Sequence, residues 1–339
     1  MKKHFLFLAM AVAAMTSCMK DEVIATYEPT PQAIGFESFV NKATKAIGST
    51  ETPTKDDGLN KFYVHGNYGS AAPFSEVFNG VTVTKVVDGE NISWDYAGAD
   101  KYWTTNTYNF AAYAQGNDDD APANVTLNGS AFSITNVTIP YTTAAATKTT
   151  SNAKDLVADL VQTTGTMQRT ETVPFTFKHL LSKVKFTVQN TDPKFTMNIT
   201  DLTITGVKYN GSFASATAAS WTPTSGMWTP SGEGLTNFIP VAATSNIAVA
   251  ATLVSDELLV MPQALGSVTF SITADFYDGS DKVDTKTVSG TLSRTGNTSW
   301  EPNNSYNYTI SLPSAAKPIV IGTVGVNTWG VDTVIELNN

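Results

Sequence analysis

The chain has 339 residues, with 21 Lys and Arg against 30 Asp and Glu, for a formal charge of −9. That acidic balance repels nucleic acid and anionic lipid headgroups, so no nucleic-acid partner is expected. At 42% hydrophobic and 15% charged, the sequence has enough apolar residues to build cores, and its length suits about two domains.

Lys2 and Lys3 precede the eleven-residue apolar run FLFLAMAVAAM and the small residues Thr16 and Ser17. This is the three-part layout of a secretory signal peptide, placed over residues 1–17. A membrane-spanning helix needs about 20 apolar residues, so the run is too short to cross, and no comparable run follows. Cys18 is the only cysteine. It stands where a bacterial lipoprotein signal places the residue that carries a diacylglycerol thioether, although Met15 occupies a position usually held by Leu, Val or Ile. The alternative is an ordinary secreted protein with a chance cysteine. Redox or metal work by this thiol would need a partner cysteine, and the sequence has none. Loss of residues 1–17 removes two lysines and takes the formal charge to −11.

Next comes a strand candidate, AIGFESFV (33–40), and then residues 41–58, NKATKAIGSTETPTKDDG. The latter stretch is polar and lysine-bearing, the composition of an exposed linker. Downstream the apolar period is two. Val184, Phe186 and Val188 alternate with Lys185 and Thr187; Val268, Phe270, Ile272, Ala274 and Phe276 share one face; so do Tyr306, Tyr308, Ile310 and Leu312. In TMNITDLTI the phase slips between Ile199 and Leu202, which predicts a bulge near Asp201. Asn79-Gly80, Asp88-Gly89, Asn128-Gly129, Asn210-Gly211 and Asp278-Gly279 read as turns. SNAKDLVADLVQ (151–162) could be a short helix; loop then strand is the reading adopted. Many short strands between such turns predict an all-β chain of two tandem antiparallel β-sandwiches. A boundary near residue 180 divides 59–180, joined by strand 33–40, from 181–339.

Catalytic signals are sparse. Outside the leader the histidines are His65 and His179, and no nucleophile elbow, zinc helix or phosphate-binding glycine loop is present. Asp118, Asp119 and Asp120 do not have EF-hand spacing and read as a solvated loop. His179 between two alternating runs reads as a residue tied to backbone at a strand crossover. Trp94, Trp103, Trp300 and Trp329 could form a sugar-stacking platform or could be sandwich packing. A carboxylate pair for glycoside hydrolysis cannot be recognised from spacing.

Five segments together carry a resemblance. WDYAGADKYWTTNTYNFAAYA (94–114), VPFTFKHLLSKVKFTV (173–188), LLVMPQAL (258–265), WEPNNSYNYTISL (300–312) and GTVGVNTWG (322–330) resemble, in order, motifs of the fimbrillin family, the type V pilins of Bacteroidota. The resemblance implies transthyretin-like β-sandwiches, export as a lipoprotein and display on the outer membrane as part of a fimbrium. Lys20-Asp21-Glu22 after Cys18 is similar to the signal that sends such lipoproteins to the cell surface. It implies no enzyme activity, cofactor or metal. The implied mechanism is strand exchange, in which protease cleavage frees an N-terminal strand and the vacated groove accepts a strand from the next subunit. Carried over by residue, Ile34, Phe36 and Phe39 belong to the displaced strand. Lys45 is the cleavage position, with Lys55 as runner-up because Asp56 and Asp57 follow it. The donor comes from Ile319, Ile321, Val324 and Val326 or from Val331, Thr333, Ile335 and Leu337. Implied partners are other pilin subunits, outer-membrane lipid through Cys18, and a host or bacterial surface receptor or glycan. The role is a stalk or tip subunit in adhesion; the alternative is a monomeric surface glycan-binding lipoprotein.

Overall fold

The computed structural model describes residues 30–39, 59–89, 91–115, 124–144, 148–151, 154–215, 221–235, 244–247, 249, 252–293, 295–312 and 321–328. In chain order the strands begin with β1 (Phe36–Phe39), β2 (Lys61–Tyr68), β3 (Ser75–Asp88), β4 (Asn91–Tyr96) and β5 (Asn106–Gln115). Then come β6 (Val125–Asn128), β7 (Ala131–Thr138), β8 (Tyr141–Ala144), β9 (Lys148–Ser151), β10 (Leu156–Gly165), β11 (Val173–Thr176) and β12 (Lys178–His179). The third run is β13 (Ser182–Asn190), β14 (Thr196–Thr205), β15 (Asn210–Ser215), β16 (Trp228–Ser231), β17 (Thr244–Ile247) and β18 (Thr252–Leu253). It closes with β19 (Leu258–Val260), β20 (Thr269–Asp278), β21 (Asp281–Thr291), β22 (Asn304–Leu312) and β23 (Ile321–Thr328). Among the described residues the one helical element is a 3-10 turn, Ser225–Met227, and no helix is long and apolar enough to cross a membrane.

A six-stranded sheet, ordered β12-β10-β5-β2-β3-β4, forms the middle of the first unit. Its two faces are both buried because β5 is apolar at odd and even positions alike. Tyr108, Phe110, Ala112 and Ala114 join one core with Phe62, Phe78, Phe175 and Phe177, whereas Ala111 and Tyr113 join another with Phe132, Ile134 and Phe213. The first face is covered by the small β1-β11 sheet, the second by the sheet β16-β15-β7-β6. The second unit is a sandwich of β18-β13-β22-β23, with β19 also on β13, and β17-β14-β20-β21. Its core is mostly branched aliphatic, and every alternating run read from the sequence points inward there.

The bulge expected near Asp201 is present as a register shift between Ile199 and Asp201. Residues 156–165 form strand β10, as the loop-then-strand reading has it. Three of the turn signals stand at hairpin tips, with positive φ at Gly89, Gly129 and Gly279. Two differ. Asn79-Gly80 lies inside β3, where Gly80 makes a bulge against β2, and Asn210-Gly211 lies inside β15, beside another register shift. Gly80 has the positive φ that serves a bulge as well as a turn, whereas at Gly211 a Cβ would lie 2.7 Å from Met261 Sδ, so the dipeptide does not separate turn from strand. Two pairings are parallel, β1 with β11 and β13 with β22, where antiparallel neighbours are expected. Each joins strands distant in sequence, beyond the reach of hairpin signals. Around the boundary expected near residue 180, the chain returns. β15 pairs with β7 in antiparallel fashion, so residues 210–215 share a sheet with residues 131–138.

Polar groups hold this return within the first unit, and Glu301 ties it to the second. Trp228 donates its indole N–H to the Leu180 carbonyl at 2.8 Å, and Trp221 donates to the Asp159 carboxylate at 2.9 Å. Burial pushes the Asp159 carboxyl above its ordinary range, against the hydrogen bonds from Thr176 and Trp221. Glu301 accepts from the Ser225 N–H and hydroxyl, both at 2.6 Å, and from the Ser299 hydroxyl at 2.5 Å.

Candidate functional site

The segment Gln32–Phe39 lies as a guest across the first face of the six-stranded sheet. Its backbone is gripped from two sides. On one side Ile34 donates to the Lys101 carbonyl at 2.7 Å and the Trp103 N–H donates to Gln32 at 3.0 Å. On the other, Gln32 donates to Met167 at 3.1 Å, Val173 donates to Gly35 at 2.8 Å, and β1 then runs parallel to β11 with Phe36 opposite Val173 and Ser38 opposite Phe175. A strand without a hairpin neighbour has only these bonds and its side chains to hold it.

The side chains carry most of the attachment. Ile34 is 1% exposed and Phe36 3%. Phe36 is the hub of an aromatic cluster, stacked on Phe175 at 5.7 Å and edge-on to Phe78 at 5.2 Å, Tyr96 at 5.7 Å and Phe110 at 6.0 Å. Aromatic pairs at such distances contribute beyond their buried area. The wall that receives Ile34 is built by the chain after β4. There the Tyr96 hydroxyl accepts the Lys101 N–H at 2.9 Å and the Tyr108 hydroxyl accepts the Thr104 N–H at 2.9 Å, so two tyrosines pin this loop from inside. Burial raises the Tyr96 phenol, which therefore stays neutral. Gly165 leaves room for Trp103: a Cβ there would lie 2.6 Å from the indole and 2.5 Å from the Tyr108 ring. Arg169 closes the end of the groove, its guanidinium 4.9 Å from the Trp103 ring centre and donating to Thr163 Oγ1 at 2.6 Å and Thr164 O at 3.0 Å.

Of the residues expected in the displaced strand, Ile34 and Phe36 sit together in this groove, and the backbone of Phe39 is in β1. Among the donor candidates, Ile321, Val324 and Val326 lie on β23, the edge of the β18-β13-β22-β23 sheet. They are opposite Ile310, Tyr308 and Tyr306 of β22, and a register shift between Tyr308 and Ile310 brings position 321 into phase with 324 and 326. Val326 is 39% exposed. Cys18, Lys45, Lys55, Ile319, Val331, Thr333, Ile335 and Leu337 lie outside the described residues, as do the leader 1–17, the linker 41–58, Asp118–Asp120 and Trp329.

Other sequence candidates are structural. Trp103 and Trp300 are fully buried, and Trp94 packs on Phe62 at 4.9 Å, so these three make no exposed platform. His179 is buried and bound through Nδ1 to the Asp155 carboxylate at 2.5 Å, a side-chain tie where a backbone one was expected. The groove residues Phe78, Tyr96, Phe110 and Phe175 were not singled out by sequence reading; the alternate aromatics in YNF and PFTF were the available signal.

The comparisons with known proteins agree with this architecture. A family model described as fimbrillin-like matches residues 44–329. No curated protein matches the chain. Among solved structures, a fimbrial protein from Bacteroides vulgatus aligns at 15% identity over 88% of this chain and 99% of its own, with a TM-score of 0.53. Proteins provisionally assigned to cell adhesion also align. One from Bacteroides uniformis does so at 15% identity over 88% and 98% of the two chains (TM-score 0.48), and one from Bacteroides ovatus at 11% over 90% and 100% (TM-score 0.49). At these identities the Bacteroides vulgatus likeness speaks for the fold alone, whereas the family model spans most of the sequence. The chain belongs to the fimbrillin-like family.

Proposed function

We propose that this chain is a fimbrial subunit displayed at the bacterial surface, acting in adhesion by assembly and binding, and that it polymerises by strand exchange. The observation that carries the reading is the guest position of Gln32–Phe39, an N-terminal segment seated in a groove whose other walls come from residues 61–179. While covalently attached, such a strand has an effective concentration of about millimolar, which a free donor cannot match. Cleavage in the linker, at Lys45 or else Lys55, removes that advantage and lets a second subunit's strand take the groove. Donor residues are drawn from Ile319, Ile321, Val324 and Val326 or from Val331, Thr333, Ile335 and Leu337. Cys18 carries the lipid that holds the uncut subunit in the outer membrane, and a cut at Lys45 separates lipid and first strand from the remainder together. The proposed partners are other fimbrial subunits and a surface receptor or glycan, and the stretches 59–180 and 181–339 act together in one subunit, because residues 210–215 of the second pair with residues 131–138 of the first.

Limited trypsin treatment of the mature protein tests the reading. The expected result is one early nick near Lys45 followed by a ladder of SDS-resistant oligomers. Persistent monomer after that nick would overturn it.

A further inference from the structure

Strand alternation turns three successive positions of the guest segment toward the core: 34, 36 and 38. The first two are filled by Ile34 and Phe36. The third is Ser38, whose register partner Phe175 is fully buried, with its ring 5.8 Å from Phe62 and 6.2 Å from Phe177. Ser38 is half-buried, and its hydroxyl is shut off from solvent with no hydrogen-bond partner among the described residues. It has given up water and gained nothing in exchange. At the other end of the segment, the Trp103 indole N–H is also buried without a partner, although its backbone N–H holds Gln32. Four buried side-chain polar atoms lack a partner among the described residues. Two of the four lie along this one guest segment, so the mismatch is concentrated where the strand must leave.

We infer that the slot under Ser38 is an apolar subsite for the incoming strand of a second copy, one that the resident strand leaves poorly filled and that takes an aliphatic side chain. The inference rests on the strand-exchange reading above. The chain supplies suitable occupants: Val331, Thr333, Ile335 and Leu337 fall at alternate positions, which an extended strand would present on one face. A donor running in the direction of β1 can place 331, 333 and 335, or 333, 335 and 337, over the three slots. The third slot then receives Ile335 or Leu337, an apolar side chain in either register. Because Ser38 is at the linker end of β1, the weakest inward position is the first that a cut in the linker exposes, and exchange begins there and moves toward Ile34.

The full mature chain carrying Ser38→Ala or Ser38→Val separates this inference from the reading beneath it. Ladder formation by the trypsin-cut parent tests strand exchange itself, and its absence removes the donor and the subsite together. Given a ladder, both variants should raise the melting temperature of the uncut chain; a lowered value for Ser38→Val would mean that the slot has no room for an aliphatic side chain, and would overturn the subsite. Ser38→Ala should slow ladder formation by about tenfold, the weight of one relieved buried hydroxyl. Unchanged or lower melting temperatures in both variants would overturn the inference, as would a raised melting temperature with ladder formation at the parental rate.

Discussion

The two terminal strands of the described chain are held in opposite ways. β1 has four residues and little backbone pairing, but its inward side chains are sunk in an aromatic core: Phe36 is 3% exposed and touches four rings. β23 has eight residues and a long antiparallel ladder with β22, yet lies at a sheet edge with Val326 39% exposed. Side-chain burial is lost all at once when a strand lifts out of its groove, whereas a backbone ladder can open and re-form residue by residue. A guest strand of the first kind is bistable, either seated or gone. An edge of the second kind can open residue by residue, and among the described residues no strand pairs with its outer side.

Phe36→Ala should break that contrast most strongly. It removes the hub of the cluster and should cost about 3–5 kcal/mol in denaturant unfolding of the uncut chain, up to the point at which the strand simply leaves. A chain ending at residue 320 removes β23 and should still unfold cooperatively, losing roughly 1–3 kcal/mol, the scale of a few cross-strand pairs.

Glu301→Gln is a control that touches neither strand. Burial alone would raise the Glu301 carboxyl, but hydrogen bonds from Ser225 and Ser299 outweigh it and hold the group below its ordinary 4.5. A depressed carboxyl stabilises the fold fully above that ordinary value, and the contribution is lost as pH falls through the folded value. The parent should therefore lose stability below pH 4.5. In the variant that part of the acid dependence should be missing, with a loss of about 1 kcal/mol at neutral pH. Measuring melting temperature against pH for both proteins checks this. Val326→Ala should cost the least, under about 1 kcal/mol, because so much of the side chain is already in water.

The same contrast explains what could be read from the sequence. Runs such as 184–188, 268–276 and 306–312 alternate because each strand has one buried and one solvated face, and the sandwich follows from them. β5 and β10 are buried on both faces for much of their length, so NFAAYA and LVADL lack alternation and the second resembles a helix segment. The pairing of β15 with β7 and the parallel seating of β1 on β11 are long-range events, with no local turn residue to announce them. Ile34 and Phe36 are assigned to the first strand, with Phe39, by the family resemblance alone; their alternation into the groove is a finding of the structure. Ser38 continues the same alternation, but a polar residue in an apolar slot has no meaning until the rings around it are known.

The central claim is that β1 leaves its groove and another strand replaces it. Amide hydrogen exchange in β11 reads this directly, because the Val173 N–H is bonded to Gly35 of the guest segment. The account predicts protection in the uncut monomer, loss of protection in the dilute cut monomer, and renewed protection in the oligomer. Protection that persists unchanged through cutting and dilution would mean that the strand stays in place, and would contradict the account.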